Sequence, residues 1–420
     1  MTHEMDRRRF LRMAGFASLA LSVPALGVAC GGDDDDDDDS NGSGDSNGDT
    51  GNTPAPAGTT GPLETTKLKV GYLPITDATP LLVAHANGYY KDAGLDVDNP
   101  TLFRSWPAIA EAFQARQVDI VHMLMPTTVF MRFGQNFPVK VVAWNHMDGS
   151  GLTVANNINT VEDLIGTTVA IPSYYSIHNV TLQALFRKAN ITPIINGNPN
   201  SANREVKLVV MAPPDMPPAI ANNSIAGYIV AEPFNAAAEV NKVGKMLRFT
   251  GDIWQDHACC VAIMHEDAIA ERPNWAQATI NALARAQLYA NENREATAKL
   301  LSNSGDKYLP QPVEVIDQAM NEYDEKEYFG PNGAIQHPDW PDHRIFFQPF
   351  PFSSYTQELV KLMKETVVEG DTSFLASLDP AEAHKQLVDD RFAREAIKAL
   401  GGPSKFNLPE SLTRTEVIEP

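Results

Sequence analysis

Between Leu68 and Trp144, short apolar runs alternate with helical patterns, and that alternation leaves few folds open. Leu68-Lys69-Val70-Gly71-Tyr72-Leu73 alternates as a strand does, and Pro80 to Asn87 reads as an apolar helix closed by Gly88. Ser105 caps a second helix with Pro107 in its first turn, and Val118 to Met123 returns as a strand. Pro126 to Phe133 begins a further helix and Val139 to Trp144 a further strand. Repeated strand–helix units predict an α/β fold of mostly parallel sheets flanked by helices.

Near Asn156 the pattern restarts. Thr160-Val161-Glu162-Asp163 is a capping signal, Thr168 to Ile171 a short strand, and Ser176 caps a helix running through Lys188. Val206 to Val210, Met216 to Asn222 and Gly227 to Val230 continue as strand, helix and strand. The continuous apolar run from Cys259 to Met264 suits a central buried strand of the first unit. Beyond it the chain is chiefly helical, most clearly from Trp275 to Asn291. These readings divide the body into a first lobe, 66–155 and 258–420 with a helical C-terminal extension, and a second lobe, 156–257. Crossings at 150–156 and 250–258 would form a hinge, with a ligand cleft between the lobes. Ligands of open α/β sheets bind beyond the carboxyl ends of strands, which places function in the strand-exit loops.

The first 65 residues are of another kind. Arg7, Arg8 and Arg9 precede an apolar, uncharged stretch from Met13 to Ala29, the pattern of an export signal (1–29). The order Asp6-Arg7-Arg8-Arg9-Phe10-Leu11-Arg12 resembles a twin-arginine signal. Gly27-Val28-Ala29-Cys30 resembles a bacterial lipobox, with glycine where leucine is usual. Cys30 would then carry the lipid that holds the exported chain on its membrane. From 30 to 65 the composition is Gly, Asp, Ser, Asn, Thr and Pro, predicting a disordered tether extended by the run Asp33 to Asp39.

Residues 66–420 carry 29 Lys+Arg and 41 Asp+Glu, a net of −12, which argues against nucleic acid as a partner. Apart from Cys30 the chain has only the adjacent Cys259 and Cys260, so no disulfide framework is available. Two buried free thiols are expected there.

The strand-exit loops resemble those of solute-binding proteins of ATP-binding-cassette importers, in the nitrate- and bicarbonate-binding branch related to sulfonate and thiamine-precursor binders. The resemblance lies in KVGYLPITDATPLLVAHANGYYKDAGL, SWPAIAEAFQARQVDIVHML, IPSYYSIHNVTLQALF, MAPPDMPPAI, VAEPFNAAAEV and TGDIWQDH, and in the tail PFPFSSYTQELVKLMKETVVEGD. It implies a two-lobed periplasmic-binding-protein fold of type II, which captures a small solute outside the cell and delivers it to a membrane permease. A nitrate- or bicarbonate-like oxyanion is implied first. A sulfonate or a thiamine-pyrimidine precursor is the alternative. A monomer attached to the membrane only by lipid would serve, and hand-over to a membrane sensor kinase is a third reading.

The candidate ligand-binding residues follow from the loops and the resemblance together. Ser176 and His178 begin a helix whose N–H groups could face an oxyanion, although a plain cap would look the same. Trp106 matches the family's cleft tryptophan, and Thr127 and Thr128 could donate from a helix start. Thr76 lies in the first exit loop, Glu232 in a GEPWN-like element, and Gln255 beside the hinge. His257-Ala258-Cys259-Cys260 stands where relatives show His-Pro-Glu-Lys, which removes a lysine able to pair with an anion. No resident cofactor is expected; a calcium ion beside a carbonate-type ligand, held by Asp77, Asp252 and Asp256, is the exception the resemblance admits. A thiamine-pyrimidine synthase-like enzyme with a metal at the cysteines is the competing class, disfavoured for thiols in an apolar strand of an exported chain. His146 and His265 lack ligand spacing and read as surface or satisfied residues.

Overall fold

In a computed structural model of the chain, residues 59–321, 328–330, 333–340 and 345–420 are described. The export signal, Cys30 and most of the tether lie outside them. Eleven strands build two sheets: β1 (Val70–Tyr72), β2 (Thr101–Leu102), β3 (Ile120–Leu124), β4 (Val139–Trp144), β5 (Ser150–Val154), β6 (Thr168–Ile171), β7 (Thr192–Ile194), β8 (Glu205–Val210), β9 (Gly227–Ala231), β10 (Lys245–Phe249) and β11 (Cys260–His265). The first sheet runs β2-β1-β3-β11-β4 and the second β7-β8-β6-β9-β5-β10.

The sheets are mostly parallel, as the alternation predicted, and each carries one strand that runs against the others. β11 is antiparallel to β3 and β4, and β5 is antiparallel to β9 and β10. Each is the first strand after the chain crosses between lobes. A chain arriving from the cleft meets the carboxyl ends of the parallel strands and must run against them. The two crossings lie side by side: Met147 bridges to Ala258, and the Asp148 N–H donates to His257 O at 2.9 Å.

The expected boundary at Asn156 falls one strand too late, because Ser150–Val154 pairs wholly within the second sheet. Its sequence, Ser-Gly-Leu-Thr-Val, lacks the apolar density that marks the restart, whereas the capping signal at Thr160 is conspicuous. There Asp163 Oδ2 accepts from the Asn159 and Thr160 N–H groups while the Asp163 N–H donates to Thr160 Oγ1.

Helices α1 (Thr79–Ala86), α2 (Trp106–Gln114), α3 (Met125–Val129), α4 (Ile177–Lys188), α5 (Phe234–Val240), α6 (Pro273–Glu292) and α7 (Ser353–Lys364) flank the sheets. The first six residues of α1 are all buried, and α6 packs along it. The second lobe's core gathers Leu152, Val169, Leu182, Phe186, Leu208 and Ile229.

The lobes meet across the cleft. Thr76 N–H donates to Glu232 O at 2.9 Å, Thr127 Oγ1 to Tyr175 O at 2.6 Å, and the Phe130 and Tyr175 rings stack 4.4 Å apart. Among the described residues, no helix is long and apolar enough to cross a membrane.

Candidate functional site

The carboxyl ends of the parallel strands and the starts of the two antiparallel ones face the same gap, and titratable side chains converge there. β1 leads into the turn Thr76–Ala78, which presents Asp77. His122 lies on β3, and Asn145 and His146 follow β4. Cys259 and Cys260 stand at the start of β11. From the second lobe come Ser150 at the head of β5, His178 in the first turn of α4 and Glu232 after β9. Every one of these side chains is buried, Asp77, His122, His146, His178, Cys259 and Cys260 completely.

The backbone around Asp77 is clamped: the Asn145 amide donates to its carbonyl oxygen, and Gln287 of α6 donates to the carbonyls of Trp144 and Asn145 at 2.9 Å each. Asp77 Oδ2 accepts from the Cys260 thiol at 3.2 Å and the Cys259 thiol at 3.6 Å, while Oδ1 makes no hydrogen bond. Burial pushes the Asp77 carboxyl up to about 8, against the lowering effect of the two thiols. Burial likewise raises the Cys259 thiol to about 11 and Cys260 well above its ordinary value. His122 and His178 fall to about 3 for the same reason, and His146 falls well below its usual range. Around neutral pH these shifts favour the uncharged forms of Asp77, the two thiols and the three histidines.

Its hydrogen bonding is incomplete, which is uncommon for groups this deeply buried. His146 Nε2 lies 3.3 Å from Asp77 Oδ2 without the angle of a hydrogen bond, and neither of its ring nitrogens is satisfied. His178 Nε2 meets Ser150 Oγ at 3.0 Å and lies 3.9 Å from Cys259 Sγ; its Nδ1 has no hydrogen bond. His122 Nε2 accepts from the Leu73 N–H at 2.9 Å, so the neutral ring carries its proton on Nδ1, which has no acceptor. Trp106 packs edge-on to that ring at 5.6 Å, its indole N–H also unbonded.

Of the residues expected from sequence, His178 belongs to the cluster and Trp106 borders it. Thr76, Thr127, Thr128, Ser176 and Glu232 lie at the cleft but are engaged with the protein itself. Thr76 Oγ1 donates to Glu232 O at 3.1 Å, Thr127 Oγ1 to Tyr175 O, and Thr128 Oγ1 to Leu124 O. Ser176 Oγ accepts from Asn179 N–H as a cap, and Glu232 Oε2 accepts from Ala236 N–H at the start of α5. The Gln255 N–H pairs with Val417 O, against the C-terminal segment. Asp252 is not available to calcium: its carboxylate pairs with buried Arg248 at 2.7 Å and accepts from the Gln336 and His337 N–H groups at 2.8 Å each.

Sequence reasoning missed His122 and misjudged His146, which is neither exposed nor satisfied; His265 is satisfied as expected, through Phe113 O at 2.8 Å. Asp77, His122, His146 and Cys259 are too far apart in the chain for any spacing rule to join them. The one available signal was that each stands on or just beside a strand end.

Comparison with known proteins follows the same fold. A family model described as the NMT1-like family matches residues 61–302. The nitrate/nitrite binding protein NrtA of Nostoc sp. is 27% identical over 353 residues, covering 77% of this chain and 75% of that protein. The crystal structure of the periplasmic nitrate-binding protein NrtA from Synechocystis superposes with a TM-score of 0.68 at 21% identity, over 85% of this chain and 94% of the other. The ligand-binding component of an ABC-type import system from Staphylococcus aureus, with zinc bound, superposes with a TM-score of 0.62 at 21% identity, over 79% and 99%. The two-lobed periplasmic-binding-protein fold is thus the fold of this chain, and these relatives are substrate-binding proteins of importers.

Proposed function

The chain belongs to the NMT1-like family, and from that premise we propose that it is the exported receptor of an ABC-type importer, enclosing one small solute between its lobes and delivering it to the permease. The observation that carries this reading is the meeting of unsatisfied, fully buried side chains from both lobes at the strand ends. A packed core has no use for unbonded imidazoles, whereas a receptor needs groups that only its solute completes. Only a small solute fits so dry a position.

The oxyanion expected from the motif order stands as a second reading, on the indole N–H of Trp106 and the Nδ1–H of His122. That donor set is thin for an anion. Among the described residues Arg248 is the buried arginine, taken by Asp252, and no lysine is buried. A melting-temperature screen with nitrate, nitrite, bicarbonate with and without calcium, and zinc tests the receptor reading. A solute at a hundredfold excess over its Kd adds about 2.7 kcal/mol of stability. His178→Ala should remove most of that gain without much loss in the melting point of the solute-free protein. If no small solute shifts the melting curve, the reading falls.

Attachment follows from the leader. With Cys30 lipidated, the tether holds the body near the permease, outside the cytoplasm. Cys30→Ala is expected to move the protein from the membrane pellet to the soluble fraction. A variant that stays in the pellet would show that the apolar segment itself is the anchor.

A further inference from the structure

The geometry points to a site for one soft divalent transition-metal cation, of the zinc class, held by Asp77, His146 and Cys259, with the metal as the solute this protein captures. The assignment rests on the reading of the chain as a solute receptor and names its substrate class.

The three ligand atoms lie within 4.8 Å of one another. A tetrahedral ion with ligand bonds of about 2.0–2.3 Å sets neighbouring ligand atoms about 3.5 Å apart. Cys259 Sγ is 3.6 Å from Asp77 Oδ2, and Asp77 Oδ2 is 3.3 Å from His146 Nε2. Both separations match the edges of a coordination tetrahedron, and the third pair, His146 and Cys259, lies within 4.8 Å. His146, with no hydrogen bond on either nitrogen, has a lone pair to give. On the remaining side stand His178 and Ser150 of the second lobe, His178 Nε2 at 3.9 Å from Cys259 Sγ, so lobe closure completes the enclosure.

A second triad, Asp77 with His122 and Cys260, satisfies the same distance limit, but tautomer chemistry excludes it. His122 Nε2 is occupied by the Leu73 N–H, so its Nδ1 carries a proton and cannot ligate. Cys260 instead donates its thiol to Asp77 Oδ2 and orients the carboxylate. Charge supports the same choice. A dication bound as Cys259 thiolate and Asp77 carboxylate is neutral as a whole, the thiol proton and the Asp77 carboxyl proton both leaving to solvent as the metal binds. Calcium and magnesium, which require oxygen ligands, are disfavoured by sulfur and imidazole.

The test uses the full chain, stripped with chelator, kept reduced, and titrated with Zn2+ and with Co2+ as a spectroscopic probe. The expected result is one metal per chain and an intense near-ultraviolet thiolate-to-cobalt band. Cys259→Ser should abolish the band, and His146→Gln should weaken binding by more than the ten- to hundredfold typical of outer-shell partners. Cys260→Ser should keep the band with a loss inside that range. Circular dichroism confirms that each variant is folded. Absence of a one-to-one complex, or a band that survives Cys259→Ser, overturns the site. If nitrate or bicarbonate then raises the melting point of the same preparation, the receptor reading stands without the metal. If nothing does, both fall.

Discussion

Asp252→Ala is expected to destabilise the body by about 3–5 kcal/mol, the cost of leaving a buried guanidinium without its counter-ion. Arg248 and Asp252 side chains are each 4% exposed, 2.7 Å apart, and four positions apart on the chain. Arg248 Nη2 also donates to Asp252 O at 2.9 Å. The same carboxylate holds the Gln336 and His337 N–H groups, so its removal also takes the acceptor from two partly buried backbone donors. Urea unfolding followed by circular dichroism reads the effect as a lower midpoint. Calcium should not shift the midpoint of the parent protein. A midpoint unchanged in Asp252→Ala, or one raised by calcium in the parent, would contradict the role of internal brace assigned to Asp252.

Trp254→Ala should cost a similar amount, about 3–5 kcal/mol, by a different route. The indole is completely buried and packs 4.9 Å from the Tyr355 ring of α7. Its Nε1–H donates to Glu416 Oε2 at 2.8 Å, and Glu416 in turn pairs with Arg414 at 2.8 Å. The substitution therefore opens a cavity beside the second crossing and releases the C-terminal segment, which bridges to Trp254 through Ile418. Both readouts are expected together: a lower urea midpoint, and faster proteolytic trimming of the last residues in the folded state. A variant with wild-type midpoint would mean that the ring fills no essential space.

Much of the architecture was legible in advance, because strand and helix periodicities report burial locally. Ser105 and Ser176 cap their helices as expected, through Ala108 and Asn179 N–H. Pro273–Glu292 forms as the clearest helix, and Cys260–His265 as a fully buried strand with both thiols free. The expected site was legible only as a neighbourhood. Thr76, Thr127, Ser176 and Glu232 stand at strand and helix ends by the gap, where their side chains bond to the protein itself. A hydroxyl next to a strand end looks the same in sequence whether it meets a ligand or a carbonyl across the gap.

The sequence by itself determined the alternation of elements, the division into two lobes and the absence of a disulfide framework, since each depends on composition or on spacing over a few turns. Tertiary structure alone decided which chemistry fills the gap. Asp77, His122, His146, His178 and Cys259 come together because parallel strands deliver their carboxyl ends, and the returning strands their first residues, to one face. No local pattern records that convergence. It arises from chain crossings that reverse strand direction, and burial there leaves polar side chains facing one another with hydrogen bonds unmet.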